Sequence, residues 1–445
     1  MDKLTNFTVR IMQRYLPDAL ILAIFLTVIV FVLGLTVAEQ SSIDMANHWG
    51  KGFSSLFTFG MQMTLVLLTG YALALTPIAR KILTFLTDLP KNPRQALALV
   101  GLISFIACYI NWGFGFVVGA ILAKEMGKKM KGLHFPMVVA VAYGAELVRG
   151  PSSSIPLVVA TPGHFLEDKI GIIPVTETLY SGWNITLSIV ILIALILLFT
   201  SMTPKKENIV EYQGDDEAEK VYGDIGKSKK EMTFAERLEH SYWVNLLLAA
   251  MPVIYIISHF KDLGFNLNLN MIILIFLSLA LLLHRSPAAF LDVVKEGIVA
   301  TRGIIIQFPL YAGVAGMMAS SGLVMIFADW FITISTEHTF PFMTFIAAGL
   351  VNIFIPSGGG QWAIQGPVMI EAAMALKADL PQTIMAFAWG DAWTNQIQPF
   401  WALPLLGVAG LSARDIMGYC LIWLFLSGII ISLTFTGLSF MQLSA

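Results

Sequence analysis

A basic residue inside an apolar stretch is the first feature of this sequence that could do chemistry. Arg149 is the only Lys or Arg that we place at the depth of a lipid bilayer. A charge there costs about 3 kcal/mol or more on insertion scales, so the guanidinium needs a partner. Glu146, three residues earlier on the same helix face, would form a structural ion pair. A substrate carboxylate would match the planar guanidinium fork equally well, and the two roles are compatible.

An acidic residue without a nearby cation is the second such feature. Asp391 follows Gly390 in another apolar stretch. An unpaired acid in a membrane indicates a proton or cation site, and the alternative is a protonated, hydrogen-bonded core carboxyl. We assign Asp391, together with Glu146 and Thr394, to a coupling-ion site. The ion would be Na⁺ or H⁺, and we expect no cofactor and no further metal site.

Glycine and polar residues interrupt four apolar runs, and we expect them to contact a substrate. Non-helical backbone at membrane depth is tolerated only where protein or a polar cavity satisfies it. Half-helix N-termini attract anions, and unwound carbonyls suit cations. Helix capping alone would explain only one or two of these residues. Besides Arg149, the predicted substrate-binding residues are Asn111, Gly113, Ser152, Ser153, Ser154, Ser357, Gly358, Gly359, Gln361, Asn395, Gln396 and Gln398.

The composition places these residues in a membrane protein. Of the 445 residues, 57 % are hydrophobic and 13 % are charged, whereas soluble domains carry about 25 % charged residues. The net charge of −2 provides no basic excess, which excludes a nucleic-acid partner. The sequence therefore predicts an all-α polytopic membrane protein embedded in the lipid bilayer, with nine spanning segments and two re-entrant hairpins.

An internal repeat organises the predicted segments. Adding 245 takes Gly113 to Gly358, and adding 246 takes Tyr143-Gly144 to Trp389-Gly390. We predict two repeats, each with a re-entrant helical hairpin and a discontinuous transmembrane helix, and these four segments would form the transport core within a scaffold of the other helices. The predicted parts are a first repeat at 1–204 (hairpin about 96–124, broken helix about 134–162), a charged cytoplasmic linker at 205–240, and an extra helix plus the second repeat at 241–445 (hairpin about 341–372, broken helix about 380–411).

Charge distribution predicts the orientation. With the N-terminus in the cytoplasm, 22 of the 27 Lys and Arg residues face the cytoplasm, as the positive-inside rule requires. The single extra helix after the linker then inverts the second repeat. Inverted repeats with discontinuous helices are typical of secondary transporters. A passive small-anion channel is the main alternative. An enzyme is not expected, because HExxH, GxSxG and GxxxxGK[ST] motifs are absent from the sequence.

Three strings of residues resemble the AtoE-type short-chain fatty acid transporter family, within the wider ion transporter superfamily. They are Arg149 to Ser154, Ile355 to Trp362 and Trp389 to Trp401, and the likeness extends over nearly the whole chain. The resemblance implies a carrier of small monocarboxylates such as acetoacetate or butyrate in the bacterial inner membrane, and it implies a homodimer because members of the superfamily are commonly dimers. Cation coupling is expected from Asp391 rather than from the resemblance. Dicarboxylate members of the superfamily carry Ser-Asn-Thr motifs at both hairpin tips. Here the tips read Asn111-Trp112-Gly113 and Ser357-Gly358-Gly359, so a dicarboxylate carrier is the more distant alternative.

Overall fold

The computed structural model of this chain is built from α-helices. It describes residues 7–11, 14, 19–151, 153–202, 204, 206–213, 222–223, 226–227, 231–264, 269–356 and 358–443. These residues contain no β-strand. The predicted all-helical character is therefore confirmed for the described part of the chain.

The helices before the linker are α1 (Ala19–Thr36), α2 (Ser42–Phe53), α3 (Phe57–Ala74), α4 (Pro77–Asp88), α5 (Pro93–Ile110), α6 (Trp112–Lys129), α7 (Phe135–Gly144), α8 (Ser154–Val159), α9 (Glu167–Ile170) and α10 (Gly182–Ser201). The helices that follow are α11 (Phe234–Glu239), α12 (Tyr242–Leu263), α13 (Leu269–Leu283), α14 (Pro287–Gly297), α15 (Arg302–Ser320), α16 (Leu323–Thr333), α17 (Phe340–Asn352), α18 (Gly358–Leu376), α19 (Leu380–Asn395), α20 (Pro399–Ala409) and α21 (Ala413–Leu443).

Helices α5 and α6 pack directly against each other and meet at one residue, Asn111. Its backbone is extended, with φ −158° and ψ 125°, and its side-chain oxygen accepts a hydrogen bond from the Phe114 N–H at 3.0 Å. The two helices approach closely because a Cβ on Gly115 would lie 2.6 Å from the backbone nitrogen of Cys108. Only glycine fits at such a crossing.

Helices α17 and α18 are arranged differently around their connection. Helix α17 packs mainly against α19 and only lightly against α18. Glycine permits the α17–α19 contact, since a Cβ on Gly390 would lie 2.9 Å from the Ala348 Cβ. The re-entrant character of both helix pairs remains a prediction.

Two helical segments are interrupted by irregular backbone. Helix α7 ends at Gly144 and continues as a 3₁₀ turn, Ala145–Leu147, before the chain extends to α8. Helix α19 ends at Asn395, and α20 begins at Pro399 after three intervening residues, 396–398. Pro399 supplies no backbone N–H and begins α20, which favours a new helix start over a continuous helix. Pro151 lies within the first interruption, three residues before α8 begins.

The helices form two packing groups. The outer group contains α1–α3 and α12–α15, where α15 packs on α1, α2 and α3. The inner group contains α5–α8, α10 and α17–α21. We expected helices α10 and α21 in the scaffold, but both belong to the inner group. Trp389 of α19 donates to Asn184 Oδ1 of α10 at 2.8 Å, and Trp423 of α21 donates to the Gly144 carbonyl of α7 at 3.1 Å. The groups meet where α6 contacts α3 and α20 contacts α15.

Several helices are suited to a membrane. Four described helical segments are long and apolar enough to cross one: Pro93–Ile110, Gly182–Ser201, Tyr242–Asp262 and Ala413–Ser439. A bent pair, Ile304–Ser320 with Leu323–Thr333, would be a fifth. Other apolar helices have 10–17 residues, and Pro93–Ile110 lies in the first predicted hairpin rather than in a predicted span. The chain is thus a multi-pass membrane protein, and nine spans remain a prediction.

Candidate functional site

A buried ion pair lies in the first interrupted segment. Arg149 Nη2 lies 3.0 Å from Glu146 Oε1, and it also donates to the Glu146 carbonyl at 2.7 Å. Arg149 Nε donates to the Leu147 carbonyl at 3.3 Å. Arg149 is only 7 % exposed, and Glu146 is 2 % exposed. Arg149 Nη1 donates no hydrogen bond to any of the described residues. Two N–H groups of the guanidinium therefore remain available.

The second interrupted segment contacts the same ion pair. Gln396 Nε2 donates to Glu146 Oε2 at 3.3 Å, so the two carboxylate oxygens of Glu146 face Gln396 and Arg149. The Tyr143 hydroxyl donates to the carbonyl of Asn395 and, at 3.3 Å, to that of Gln398. These carbonyls lie where the helix is interrupted. The two interruptions therefore meet, which brings Glu146, Arg149 and Gln396 together.

Asn352, at the end of α17, connects the second hairpin to the second interruption. Its Nδ2 donates to Thr394 Oγ1 at 3.0 Å and to Asn395 Oδ1 at 2.7 Å. Thr394 in turn donates to the Gly349 carbonyl at 2.8 Å, and Gln398 Nε2 donates to the Ile353 carbonyl at 2.8 Å. These bonds hold the predicted residues Thr394, Asn395 and Gln398 against α17.

Asp391 is buried beside the second hairpin tip. It is 5 % exposed, and its Oδ1 has no hydrogen-bond partner within the described part of the chain. A Cβ on Gly358 would lie 3.0 Å from Asp391 Oδ2 and 3.0 Å from Ser154 Oγ. Gly358 therefore separates a carboxylate of α19 from a hydroxyl of α8. A buried acceptor without a donor is costly unless a proton or cation occupies it.

Other predicted site residues make contacts elsewhere, and Asn111, Gly113 and Gln361 have no observed contact with Arg149 or Asp391 among the described residues. Asn111 caps α6, and a Cβ on Gly113 would lie 2.8 Å from Val66 Cγ1, so this tip packs against α3. Gln361 Nε2 donates to the Ala348 carbonyl (2.9 Å) and to Gln365 (2.8 Å). A Cβ on Gly359 would lie 4.0 Å from Ser154. Ser153 is buried and makes no capping bond through its side chain. Ser152 and Ser357 lie outside the described residues.

Each hairpin tip contacts the interrupted segment of the other half. Trp112, next to the first tip, packs against Trp401 of α20 with ring centroids 4.8 Å apart. Gly358, at the second tip, lies next to Ser154 of α8. Adding 245 to position 112 gives 357, one residue before Gly358, and adding 246 to position 154 gives 400, one residue before Trp401, so the two contacts correspond to within one residue. A crossed arrangement of this kind is expected if the halves are structural repeats.

Two residues of this network were missed by the sequence analysis. Tyr143 served there only to align the repeat, although a tyrosine hydroxyl buried in an apolar run requires an acceptor. Asn352 is a lone amide in the apolar run before the second tip, and that was the available signal. No cluster of three or more His, Cys, Asp or Glu residues suited to a metal occurs in the described ranges.

Comparison with known proteins decides the family. A profile of the family described as "Short chain fatty acid transporter" matches residues 1–438. An Escherichia coli K12 protein is 41 % identical over 433 residues, covering 97 % of this chain and 98 % of its own, and is named provisionally as a short-chain fatty acid transporter. A Haemophilus influenzae protein with the same provisional name is 40 % identical over 430 residues, covering 95 % and 96 %. The chain belongs to the short-chain fatty acid transporter family.

Membership of the short-chain fatty acid transporter family confirms the predicted resemblance. It also confirms that the chain is not an enzyme, since the relatives are named as transporters. A solved structure, that of the Alcanivorax borkumensis YdaH transporter, resembles this one with a TM-score of 0.47 and 14 % identity, covering 96 % of this chain and 98 % of the other.

Proposed function

We propose that this chain is a secondary active transporter that carries short-chain monocarboxylates, such as acetoacetate or butyrate, together with a cation by alternating access. The observation that carries the proposal is the buried Arg149, whose Nη1 has no hydrogen-bond partner among the described residues. A guanidinium matches a carboxylate in both charge and geometry. Membership of the short-chain fatty acid transporter family supports the same substrate class.

The charges near Arg149 favour coupling to a cation. The site holds one positive group, Arg149, and two acidic groups, Glu146 and Asp391, which lie within electrostatic range of one another. A monocarboxylate adds one negative charge to a closed site, where an uncompensated charge is costly. Binding one Na⁺ or H⁺ at Asp391 offsets the negative charge that the substrate adds. Substrate and cation therefore stabilise each other's binding.

Some residues of the proposed site would contact the substrate, and others would hold the surrounding helices in place. Arg149 and Gln396 would face the substrate carboxylate, and the segments that meet at Asp391 would line the site through Ser152, Ser153, Ser154, Ser357, Gly358 and Gly359. Asn111 and Gly113 would contribute from the first tip. Gln361, Thr394, Asn395 and Gln398 would hold the neighbouring helices in place, because their side chains form hydrogen bonds with protein groups.

The membrane setting is part of the same proposal. We place the protein in the bacterial inner membrane as a homodimer of inverted repeats, with the N-terminus and the linker in the cytoplasm. The excess of Lys and Arg on one side supports this orientation, and the family resemblance supports the dimer.

Counterflow in proteoliposomes tests the proposed mechanism against a channel. We expect vesicles loaded with unlabelled butyrate to take up labelled butyrate faster than empty vesicles do, because a carrier exchanges its two substrate pools. Vesicles without protein are the control. Uptake that is equally fast in loaded and empty vesicles would indicate a passive anion channel instead.

Replacement of Asp391 tests the coupling. Asp391→Asn keeps the shape of the side chain and removes its charge, so gradient-driven accumulation of butyrate should fall at least about tenfold while exchange at equal concentrations persists. Asp168→Asn, an exposed acid on α9, is the matched control. Accumulation at the wild-type level in the Asp391→Asn variant would rule out coupling through this carboxylate.

A further inference from the structure

Four polar side chains lie inside the apolar core that α17, α18 and α19 form. We call them the polar cluster, and they are Thr344 of α17 and Gln361, Trp362 and Gln365 of α18. Each of the four is fully buried. Apolar side chains packed in the same core include Phe340, Met369 and Phe387. Polar groups in such surroundings are costly unless each has a hydrogen-bond partner.

Several atoms of the polar cluster have no such partner. Gln361 Nε2 donates to the Ala348 carbonyl at 2.9 Å and to Gln365 Oε1 at 2.8 Å. These two bonds fix the orientation of both amides, because a carbonyl oxygen accepts only from the amide nitrogen. Within the described residues, no hydrogen bond reaches the remaining polar atoms, which are Thr344 Oγ1, Gln361 Oε1, Trp362 Nε1 and Gln365 Nε2.

The polar cluster begins next to Asp391. A Cβ on Gly358 would lie 3.0 Å from Asp391 Oδ2. Gln361 and Gln365 follow Gly358 by three and seven residues, so all three share one face of α18. At a rise of 1.5 Å per residue, Gln365 lies about 10 Å from Gly358 along the helix axis. The polar groups without partners therefore extend from Asp391 along α18.

Helix α19 runs antiparallel to α18 and borders the polar cluster. One turn after Gly358, Trp362 packs edge-on against Phe387 of α19, with ring centroids 5.0 Å apart. Phe387 lies one turn before Asp391. The indole of Trp362 lies along α18, since a Cβ on Gly366 would lie 2.7 Å from its Cδ2 atom. The polar cluster and Asp391 are thus bordered by the same two helices.

Helix α17 places Thr344 at the depth of Gln365. It runs parallel to α19, as the contacts between the two helices show, and therefore antiparallel to α18. Gln361 contacts the Ala348 carbonyl. Thr344 lies one turn before Ala348, and Gln365 lies one turn after Gln361. The hydroxyl and the second amide therefore lie on the same level of the core.

The polar cluster suits water better than Na⁺. Water donates and accepts at once, so one molecule can donate to Gln361 Oε1 and accept from Gln365 Nε2. Trp362 Nε1 is a donor in every orientation, and the positive end of its N–H group repels a cation. Buried water at a polar site of this kind is part of a protein structure. Chains of water also transfer protons.

We propose that the polar cluster holds a chain of ordered waters that carries protons to and from Asp391, so that the coupling ion is H⁺ rather than Na⁺. The proposal rests on the cation coupling proposed above. When butyrate binds, a proton from this chain adds to the ionised carboxylate of Asp391 and makes it neutral. The same proton returns to water when butyrate leaves. Arg149 and Glu146 are within electrostatic range of Asp391 and form an ion pair with each other.

The end of the polar cluster away from Asp391 is closed in this conformation. Phe340 lies one turn before Thr344, and Met369 lies one turn after Gln365. Both apolar side chains are fully buried. A proton route that stayed open at both ends would dissipate the gradient that drives transport. A closed end is therefore what alternating access requires.

Butyrate binding to the detergent-solubilised, full-length protein tests the identity of the coupling ion. Two ligands that bind cooperatively change each other's affinity by the same factor. We expect the Kd for butyrate to fall about tenfold from about pH 8 to about pH 6, and to change less than about twofold with the Na⁺ concentration. In weakly buffered solution, butyrate binding should remove protons from the solvent, and Asp391→Asn should abolish this uptake.

Two results of this measurement would count against different claims. A Kd that depends on Na⁺, without proton uptake, would overturn the proton route and leave the transport function intact. A wild-type protein that binds no butyrate would instead overturn the proposed function.

The rate of proton uptake tests the route through the polar cluster. Thr344→Val removes the hydroxyl, and Gln365→Met removes the amide at similar length. With a pH-indicator dye and rapid mixing with butyrate, each variant should take up protons at least about tenfold more slowly than the wild type. The amount taken up and the Kd should stay unchanged, whereas a merely structural role would alter them. Thr344→Ser keeps the hydroxyl and should restore the rate.

Thr64→Val is the matched control. Thr64 is a buried threonine of α3 whose hydroxyl donates to the Gly60 carbonyl of its own helix at 2.9 Å. Its replacement should leave the rate and the amount of proton uptake unchanged. Because Thr344 and Gln365 lie on different helices, either folded variant tests the route. Proton uptake at the wild-type rate in Thr344→Val and Gln365→Met would overturn it, as would equal slowing in Thr64→Val.

Discussion

The two interrupted segments differ in charge although the predicted repeat relates them. Between α7 and α8 the chain carries Glu146 and Arg149, which form a buried ion pair at 3.0 Å. Between α19 and α20 it carries the neutral amides Gln396 and Gln398, which donate to Glu146 and to the Ile353 carbonyl. The first interruption spans nine residues, 145–153, and the second spans three, 396–398.

This difference indicates how one site serves an anion and a cation. The first interruption carries the charged residues Glu146 and Arg149, and an arginine can bind a carboxylate there. Carbonyl and amide groups lie in the second, next to Asp391, whose Oδ1 has no donor within the described residues. Tyr143 joins the two by donating to the Asn395 carbonyl. In the proposed transporter, divergence of the two predicted repeats would therefore separate substrate recognition from coupling.

Loss of one member of the ion pair should have the largest effect. Arg149→Gln leaves the carboxylate of Glu146 buried without its cation, which costs about 3–5 kcal/mol. We expect a large fall in thermal stability in detergent. The double variant Glu146→Gln with Arg149→Gln removes both charges, so it should regain stability and still bind no butyrate. Wild-type binding by the double variant would contradict the charged role of the first interruption.

Substitution of Tyr143 or Trp389, which the predicted repeat relates, should reduce stability by a smaller amount. Tyr143→Phe removes the donor to the second interruption, and Trp389→Phe removes the donor to Asn184 Oδ1. Trp389→Phe leaves the buried Asn184 Oδ1 without its donor, at a cost of about 1–3 kcal/mol, whereas Tyr143→Phe should cost less, because the Asn395 carbonyl still accepts from the Gln398 N–H at 3.0 Å. Only Tyr143→Phe should also weaken butyrate binding, by roughly tenfold, since of these two residues only Tyr143 contacts the second interruption. Equal effects on binding would remove the distinction between the two halves.

Topology labelling should leave transport unchanged while testing the inverted relation of the halves. A single cysteine at Gln213, in the linker, should react only from the cytoplasm, and one at Thr336, before α17, only from the periplasm. Both residues are exposed. Membrane-impermeant maleimide applied to intact cells and to inverted vesicles makes the comparison. Reaction of both cysteines from the same face would disprove inverted repeats.

Local sequence signals anticipated part of this arrangement. Pro151, Pro399 and the surrounding glycines indicated where helices stop, because proline lacks a backbone donor. The spacing of Glu146 and Arg149 predicted an ion pair on one helix face; the pair forms at 3.0 Å, but Val148 is extended and Arg149 lies outside any helix. Both signals depend on neighbours in sequence, so they can be interpreted without the fold.

Contacts between distant residues were not predictable in the same way. Gln396 and Glu146 are 250 positions apart, and only the packing of the inner group brings them together. Helices α10 and α21 are apolar on most faces, so periodicity could not show which group they join. The contacts that residues 210 and 223 of the linker make were unpredictable for a related reason. Charge density indicates exposure, but the bonds of Val210 and Gly223 are made by backbone groups, which every sequence contains.

Binding of butyrate to Arg149→Lys tests the central claim most directly. Lysine keeps the positive charge beside Glu146 but presents a point charge instead of a planar fork. We expect a folded protein whose Kd for butyrate rises about tenfold or more, equivalent to about 1.4 kcal/mol, while Lys261→Arg, an exposed cation at the end of α12, leaves the Kd unchanged. A folded Arg149→Lys protein that binds butyrate as tightly as the wild type would contradict recognition of the carboxylate by Arg149.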